Sequence, residues 1–476
     1  MPRESGRPGV SLDSRTRSRH RTMKPTLATA VLTASAGLLL AGCTGVTIPA
    51  EKTARAHADR IGQLLRPADA SPPLPRLSAT SGADDYLRYA LLKHPAVLAA
   101  YYDWRASVEE ITPARSLPDP KLTLQADISN TLMSFMPGLM FDLMEKDKLS
   151  AMGREAAAAS EVSFRAYVAT VLRTAAEVRQ AWIELAYVDE ALRLRQTSLD
   201  AVEQSVAVAS TEYTTGRGMP TLERQVLFLN QAVQLRATLA ALDDRRTAAR
   251  TRFKSALGLT PDETDPPWPQ LPLAATTLPS ESEVWAIAAR VNPELASMRA
   301  MVDMTVAAAE VAANTGTPDV SLGLEADLQA VPVMLRPSGS VTLPVWRDKL
   351  AATIAAAQAR RGAAAARLNA EQLNLAAEIA QMFYMVHEAD RMIASIDTAG
   401  LPNLERSLAS SEAAYQSGMN GPGMIAETHV MAAAMRLERL EALRQRETAA
   451  TDLLLTIAAV APADTALLAH AAPAAP

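Results

Sequence analysis

His94-Pro95 … Pro118-Asp119 … Leu122-Thr-Leu-Gln-Ala-Asp-Ile128 decides the fold, because the chain writes it twice. It returns as Asn292-Pro293 … Pro318-Asp319 … Leu322-Gly-Leu-Glu-Ala-Asp-Leu328. Further on, Glu177-Val-Arg-Gln180 returns as Glu378-Ile-Ala-Gln381, and Tyr213-x-x-Gly216 as Tyr415-x-x-Gly418. A chain that repeats its layout at a near-constant spacing is built from two equivalent units, so the repeat precedes any other reading of the fold. In both copies the apolar residues alternate with polar ones. Leu122, Leu124, Ala126 and Ile128 alternate with Thr123, Gln125, Asp127 and Ser129, which predicts a strand with one dry and one wet face. The second strand repeats this with Val320, Leu322, Leu324, Ala326 and Leu328. Each strand is expected to enter a loop containing Pro137 or Pro332 and Pro337. The return strand is clear as Ser340-Val-Thr-Leu-Pro-Val-Trp346, whereas Gly138-Leu-Met-Phe-Asp-Leu-Met-Glu145 lacks clean alternation. Two β-hairpins per chain is the reading.

Outward from the hairpins the period changes to seven. Val178, Leu185, Leu192, Leu199, Val206 and Tyr213 recur at heptad spacing, with Val188, Val202 and Ala209 as a second row. Sustained heptads mean coiled-coil packing. A helix over 150–215 ends at the breaker Gly216-Arg-Gly-Met-Pro220, and a shorter helix returns over 221–258. With a first helix over 83–112, closed by Thr112-Pro113, the two short helices match the long one end to end. The second copy repeats the plan as 281–314 and 423–460 against 347–417. The organisation read from this is a leader over 1–42 and an anchor and Pro-rich tether over 43–82. The first repeat follows over 83–259, a Pro-rich connector over 260–280, the second repeat over 281–460 and a disordered tail over 461–476. The fold class is mainly α with a small β part.

Composition excludes several classes of function. Aromatics are 4% of the 476 residues and the net charge is −5, although seven of nine charged side chains before Cys43 are basic. The remainder is therefore strongly acidic, which argues against a nucleic-acid partner. Cys43 is the single cysteine, so no intrachain disulfide exists. No apolar run of about 20 residues follows it, so a membrane crossing would have to use strands. Met23-Lys-Pro followed by an apolar run to Leu40-Ala41-Gly42-Cys43 reads as a secretory signal. Residues 1–22 add nothing to it. Leu-Ala-Gly-Cys resembles the bacterial lipobox, which implies cleavage before Cys43 and lipidation of its sulfur. Thr44 resembles the outer-membrane sorting class.

Taken together, the duplicated helix–hairpin–long helix–turn–helix unit, the two X-Pro corners and the Tyr-x-x-Gly pairs resemble the TolC-like outer-membrane efflux family. The resemblance spans about residues 83–460, and the lipobox with its tether agrees with the lipoprotein branch. Leu117-Pro-Asp-Pro-Lys-Leu122, Pro344-Val-Trp-Arg-Asp-Lys-Leu350 and Leu401-Pro-Asn-Leu-Glu-Arg-Ser-Leu408 resemble the heavy-metal subgroup. The family implies a homotrimer whose strands close into one 12-stranded outer-membrane β-barrel, continued by a trimeric α-barrel tunnel. Two hairpins cannot enclose a channel alone, whereas three copies can. The family also implies a periplasmic adaptor and an inner-membrane pump as partners, docked at the coil tips.

The candidate sites follow. Tyr213, Gly216, Arg217, Met219, Tyr415, Gly418 and Met419 are expected at the adaptor-docking and gating tips. Gln125, Asp127, Glu325 and Asp327 are expected on the wet strand face, where three copies would form carboxylate rings that either favour cations or simply solvate a wet interior. Met133, Met136, Met140, Met144 and Met152 carry thioethers suited to soft ions, but read first as flexible apolar filler. No catalytic constellation, cofactor motif or metal-ligand spacing is present. The function expected is a passive exit duct; the alternative is a lipid-anchored periplasmic coiled-coil adaptor or scaffold without a pore. Replacing Cys43 by Ser is expected to abolish acyl labelling of the protein in cells; normal labelling of that variant would refute the lipobox reading.

Overall fold

The repeated X-Pro motif is a helix start. In the computed structural model, which describes residues 45–67, 70–78, 80–128, 132–215, 222–269, 273–330, 332–419, 422–462 and 465–468, His94 ends α2 (Ala83–Lys93) and begins α3 (Pro95–Glu109). Its ring nitrogen accepts from the Ala96 N–H at 3.2 Å. Asn292 does the same between α7 (Glu281–Val291) and α8 (Pro293–Asn314), its Oδ1 accepting from Leu295 N–H at 2.9 Å. A capping side chain followed by Pro at the first helical position satisfies one orphan donor and removes another. Hence the expected single helices over 83–112 and 281–314 are each broken at the X-Pro step. Ile111–Ala114 is a separate turn, α4, which contains Pro113.

Each corner is seated on the end of the helix that returns in its own repeat. After α5 (Lys146–Thr215) comes α6 (Leu222–Ala256), closed by Leu259 N–H to Lys254 O at 3.1 Å around Gly258 at φ 73. A Cβ on Gly258 would come within 2.8 Å of the His94 Cα, so the corner needs glycine there. In the second repeat, α9 (Arg347–Ser395) leads on to α10 (Leu401–Gln416), and α11 (Pro422–Thr456) returns. Ala459 N–H to Leu454 O at 2.8 Å closes α11 around Ala458, at φ 55. Asn292 Nδ2 donates to Thr456 O at 3.1 Å across that corner. The two ends have one hydrogen-bond pattern, but an alanine holds the left-handed position in the second.

The long helix α5 has 70 residues, so at about 1.5 Å each it runs roughly 105 Å. It packs on α2 and α3 over one half and on α6 over the other, as the heptad rows require, and on α8 and α11 of the second repeat. Val178, Leu185, Val188, Leu199 and Val202 are all buried. The counterpart expected over 347–417 is interrupted by a π turn at Ile396–Gly400. Pro402 has no N–H to give the preceding turn, and the extra residue absorbs the mismatch. Arg439 of α11 grips Asp397 there with two bonds of 2.6 and 2.9 Å.

The four strands form one antiparallel sheet in chain order: β1 (Lys121–Ile128), β2 (Leu132–Leu143), β3 (Asp319–Asp327) and β4 (Met334–Thr342). The two hairpins are joined through β2 and β3. Pro137 and Pro337 lie within strands, opposite Leu124 and Leu324, rather than in loops. Both sit where a missing N–H is tolerated. β4 is an edge strand, and the β2–β3 ladder begins only at Gly138, one residue past Pro137. The return strand ends at Thr342, so Leu343–Trp346 lies outside it.

The main core is built around large aromatic rings. Tyr86, Tyr101, Trp104, Phe164, Tyr167, Trp182 and Phe253 gather where α2, α3, α5 and the end of α6 meet, with Trp104 stacked on Tyr167 at 5.7 Å. Segments expected to be tether or tail join this core. Residues 49–65 form α1 (Pro49–Leu65), with Ala58, Ile61 and Leu65 buried. Pro49 stands at its first helical position, where the missing N–H costs nothing. Tyr86 donates to Ser78 O at 3.0 Å and to Pro267 O at 2.7 Å, pinning tether and connector together. Val460, Ala461 and Leu467 are buried in the same core, so the chain packs as far as Leu468. Ala458→Gly is expected to stabilise the folded protein by about 0.5–1 kcal/mol, since it removes a left-handed penalty of about 1–2 kcal/mol at the expense of greater unfolded-state entropy. Chemical denaturation midpoints test it, and Gly258→Ala is expected to shift them the other way.

Candidate pore and its helical tips

Strand register sorts every side chain of the sheet to one of two faces. Thr123, Gln125 and Asp127 of β1 stand opposite Gly138, Met136 and Ser134 of β2. Gly138, Met140 and Asp142 stand opposite Glu325, Gly323 and Ser321 of β3, and these opposite Arg336, Ser338 and Ser340 of β4. Gln125, Asp127, Glu325 and Asp327 therefore share one polar face. The other face carries Leu122, Leu124, Leu139, Leu143, Leu322, Leu324, Leu335 and Val341, all exposed, with Leu122 at 68%. β2 does alternate; Met136 and Met140 on its polar side hide the pattern in the sequence.

The polar face is a network of compensated charges. Gln125 Nε2 donates to Glu325 Oε1 at 3.2 Å, reaching across β2 over Gly138. A Cβ at Gly138 would lie 2.5 Å from Glu325 Cγ and 2.7 Å from Thr123 Oγ1, so glycine opens the space that the glutamate occupies. Ser134 donates to Asp127 at 3.0 Å. Arg336 pairs with Asp327 at 3.0 Å and Lys121 with Asp142 at 2.7 Å. Glu325 and Asp327 are 6% and 4% exposed, buried among their partners. Lys121, Asp142 and Arg336 are site residues that sequence reasoning missed. The available signal was an arginine two residues into the return strand from a carboxylate-bearing hairpin. The methionines are not gathered into a site. Met136 and Met140 are about 13 Å apart along β2, Met152 is on α5, and the side chain of Met133 lies outside the described residues. Among the described residues no three His, Cys, Asp or Glu side chains cluster to hold a metal.

At the opposite end of the coils, Tyr415-x-x-Gly418 is a helix stop. Gly418 N–H donates to Tyr415 O at 3.0 Å and Met419 N–H to Ala414 O at 2.9 Å, with Gly418 at φ 75. Tyr415 is exposed and Met419 is 77% exposed. Tyr213 lies in the last turns of α5, its side chain outside the described residues, as are Gly216, Arg217 and Met219 entirely. Cys43 also lies outside them. Just after it, Val46 N–H bonds Arg115 O at 3.2 Å, and Glu51 of α1 is buried against Arg115, Arg55 and Thr112. Burial alone would raise the Glu51 carboxyl, but hydrogen bonds from Arg115, Thr112 and Arg55 outweigh it and hold the group at about 2.

No helix among the described residues is long and apolar enough to cross a membrane. A family model described as outer membrane efflux protein matches residues 287–459. That match lies within the second repeat. A comparison with curated proteins gives no match. Among solved structures, the fold is similar to that of CusC, with a TM-score of 0.68 at 16% identity over 80% of this chain and 93% of that one. It is similar to the open-state MtrE channel of Neisseria gonorrhoeae, at 0.67 and 16% over 82% and 94%. VceC of Vibrio cholerae follows at 0.64 and 16% over 79% and 95%. At these identities the likeness establishes the fold.

The Glu51 clasp makes a signed prediction. Its folded-state value lies below the ordinary 4.5, so its stabilisation is complete above about pH 4.5 and disappears as pH falls through about 2. Glu51→Gln is expected to lower stability by about 2–3 kcal/mol at pH 7, with the deficit closing between those values. Denaturation of both proteins across that range reads it.

Proposed function

We propose that the protein is the outer-membrane exit duct of a tripartite efflux system, working as a homotrimer that conducts solutes passively. One observation carries the reading: a four-stranded sheet turns eight large apolar side chains outward and, among the described residues, leaves both edges, β1 and β4, without a partner strand. In water such a face is an aggregation surface; in lipid it is a barrel wall, provided that the edges close. Three copies supply 12 strands. β2, with 12 residues at about 3.3 Å each, is long enough to cross an apolar band of about 25 Å when tilted. The coils carry matching open flanks. Leu222, Val226, Leu229 and Val233 form an exposed stripe on α6, and α9 exposes Leu373 and Tyr384. A pore-free periplasmic scaffold would leave all of this surface in water.

In the trimer the network of Gln125, Asp127, Glu325 and Asp327 faces the lumen and favours cations. Acylated Cys43 holds the assembly in the outer membrane, and the tips around Tyr213, Gly216, Arg217, Met219, Tyr415, Gly418 and Met419 meet the periplasmic adaptor that connects to the pump. The duct needs no cofactor and carries out no chemistry of its own.

Paired substitutions on neighbouring residues test the wall. Leu124→Arg puts a charge on the lipid face at about 2–4 kcal/mol per copy and is expected to reduce assembled trimer at least tenfold. Gln125→Arg, on the opposite face, is expected to assemble and to shift the reversal potential in planar bilayers towards anions. Equal assembly of both variants, or an absence of conductance in the parent, would overturn the duct reading. For the tips, a photo-crosslinker at Met419 is expected to capture the adaptor in cells several times more efficiently than one at Arg195 in mid-coil.

A further inference from the structure

Between α5 of the first repeat and α7–α8 of the second lies a groove of about 770 Å³. Its wall on α5 runs from Arg165 to Arg179, a rise of about 21 Å at about 1.5 Å per residue. Val168, Leu172, Ile287, Val291, Ala296 and Ile457 make the lining apolar. At the Arg179 end, that guanidinium stands 3.6 Å from Asp84. At the other, Arg165, Val291 and Ala296 are shared with a smaller cavity of about 170 Å³. This cavity is basic: Arg165, Arg290 and Arg299 line it with Glu161 and Asp303. Glu161 is taken up by Arg165 at 2.7 Å. Arg299 donates to the carbonyls of Ala289 and Arg290, and Arg290 to that of Ala286. Among the described residues neither Arg290 nor Arg299 is paired with a carboxylate.

A concave site of several hundred Å³ with apolar walls and a few convergent polar groups suits a small molecule. Its two parts here select different chemistry. A guanidinium fork grips a carboxylate or phosphate with parallel hydrogen bonds. The trough takes an acyl chain: in a bilayer core of about 30 Å, the chains of one leaflet occupy about 15 Å. A small inorganic anion would leave the trough in water, and a neutral chain would leave the two arginines without a counter-charge.

We propose that this groove binds a single-chain anionic amphipath, with its acyl chain along α5 and its oxyanion between Arg290 and Arg299. The ligand fills the seam between the two repeats at the level of the X-Pro corners. Ala296 lies about 27 Å along α8 from Asn314, the end nearest the strands, so the site is separate from the lipid-facing side of the sheet. The inference does not depend on what the duct carries or on how the strands close.

Photolabelling of the full-length assembled protein in nanodiscs tests it, with a palmitate that carries a diazirine in mid-chain. Mass spectrometry is expected to find adducts on the groove segments around Val168, Leu172 and Val291. Excess palmitate or palmitoyl lysophosphatidate is expected to lower them at least fivefold, the stronger competitor naming the head group, whereas neutral monopalmitoyl glycerol leaves them. Arg290→Gln with Arg299→Gln is expected to lower groove labelling at least fivefold, Arg290→Lys with Arg299→Lys to keep most of it, and Ala296→Phe to block it. An unlabelled groove in the parent protein, equal competition by the neutral lipid, or unchanged labelling in the glutamine variant would overturn the proposal. Labelling that appears only after the assembly is dissociated would show that a second copy fills the groove, and would overturn it too.

Discussion

A β-sheet can turn its apolar side outward only in a medium that accepts it, and in that medium each unpaired backbone N–H and C=O costs several kcal/mol. This single requirement connects the parts of the molecule. Four strands with two open edges cannot meet it within one chain, and on the proposed reading further copies complete the sheet. Once copies are arranged around an axis, the helices attached to the strands must form a ring as well. The apolar stripe on α6 and the exposed flank of α9 are where such a ring would close.

The two repeats solve one construction problem with different security. In both, an X-Pro corner caps one helix and is seated on the left-handed end of another. The first repeat uses Gly258 beneath His94 and surrounds the junction with aromatic rings. The second uses Ala458 at φ 55 and a smaller core around Phe383, Leu375 and Leu453. Its long helix is also the one that carries Pro402 and a π turn, whereas α5 runs unbroken. The additional packing of α1 and the chain end on the first repeat accentuates the difference.

The polar side of the sheet is wet by residue type yet largely satisfied within itself. Glu325 over Gly138, Asp327 with Arg336 and Asp142 with Lys121 make it a bonded lattice. Charges held in this way keep their geometry, which suits the lumen role proposed for this face. The clasp around Glu51 applies the same chemistry to the segment just after Cys43.

Periodicity determined the type and order of the main elements, because the spacing of apolar residues depends only on how a backbone repeats: two for the strands, seven for the coils. The duplication, the hairpins, the long helix α5 and the shared face of Gln125, Asp127, Glu325 and Asp327 were all legible in that way. Proline was misread wherever its meaning depends on surroundings. Pro137 and Pro337, expected in loops, sit in strands, and Pro402 shifts the register of a helix expected to run unbroken. Methionine hid the alternation of β2, since a flexible apolar side chain is tolerated on either face. Only the tertiary structure brought Arg336 to Asp327, Lys121 to Asp142 and Glu51 to Arg115. It also turned the supposed tether and tail into parts of the core. Those pairings join residues that no local period relates, so packing alone decided them.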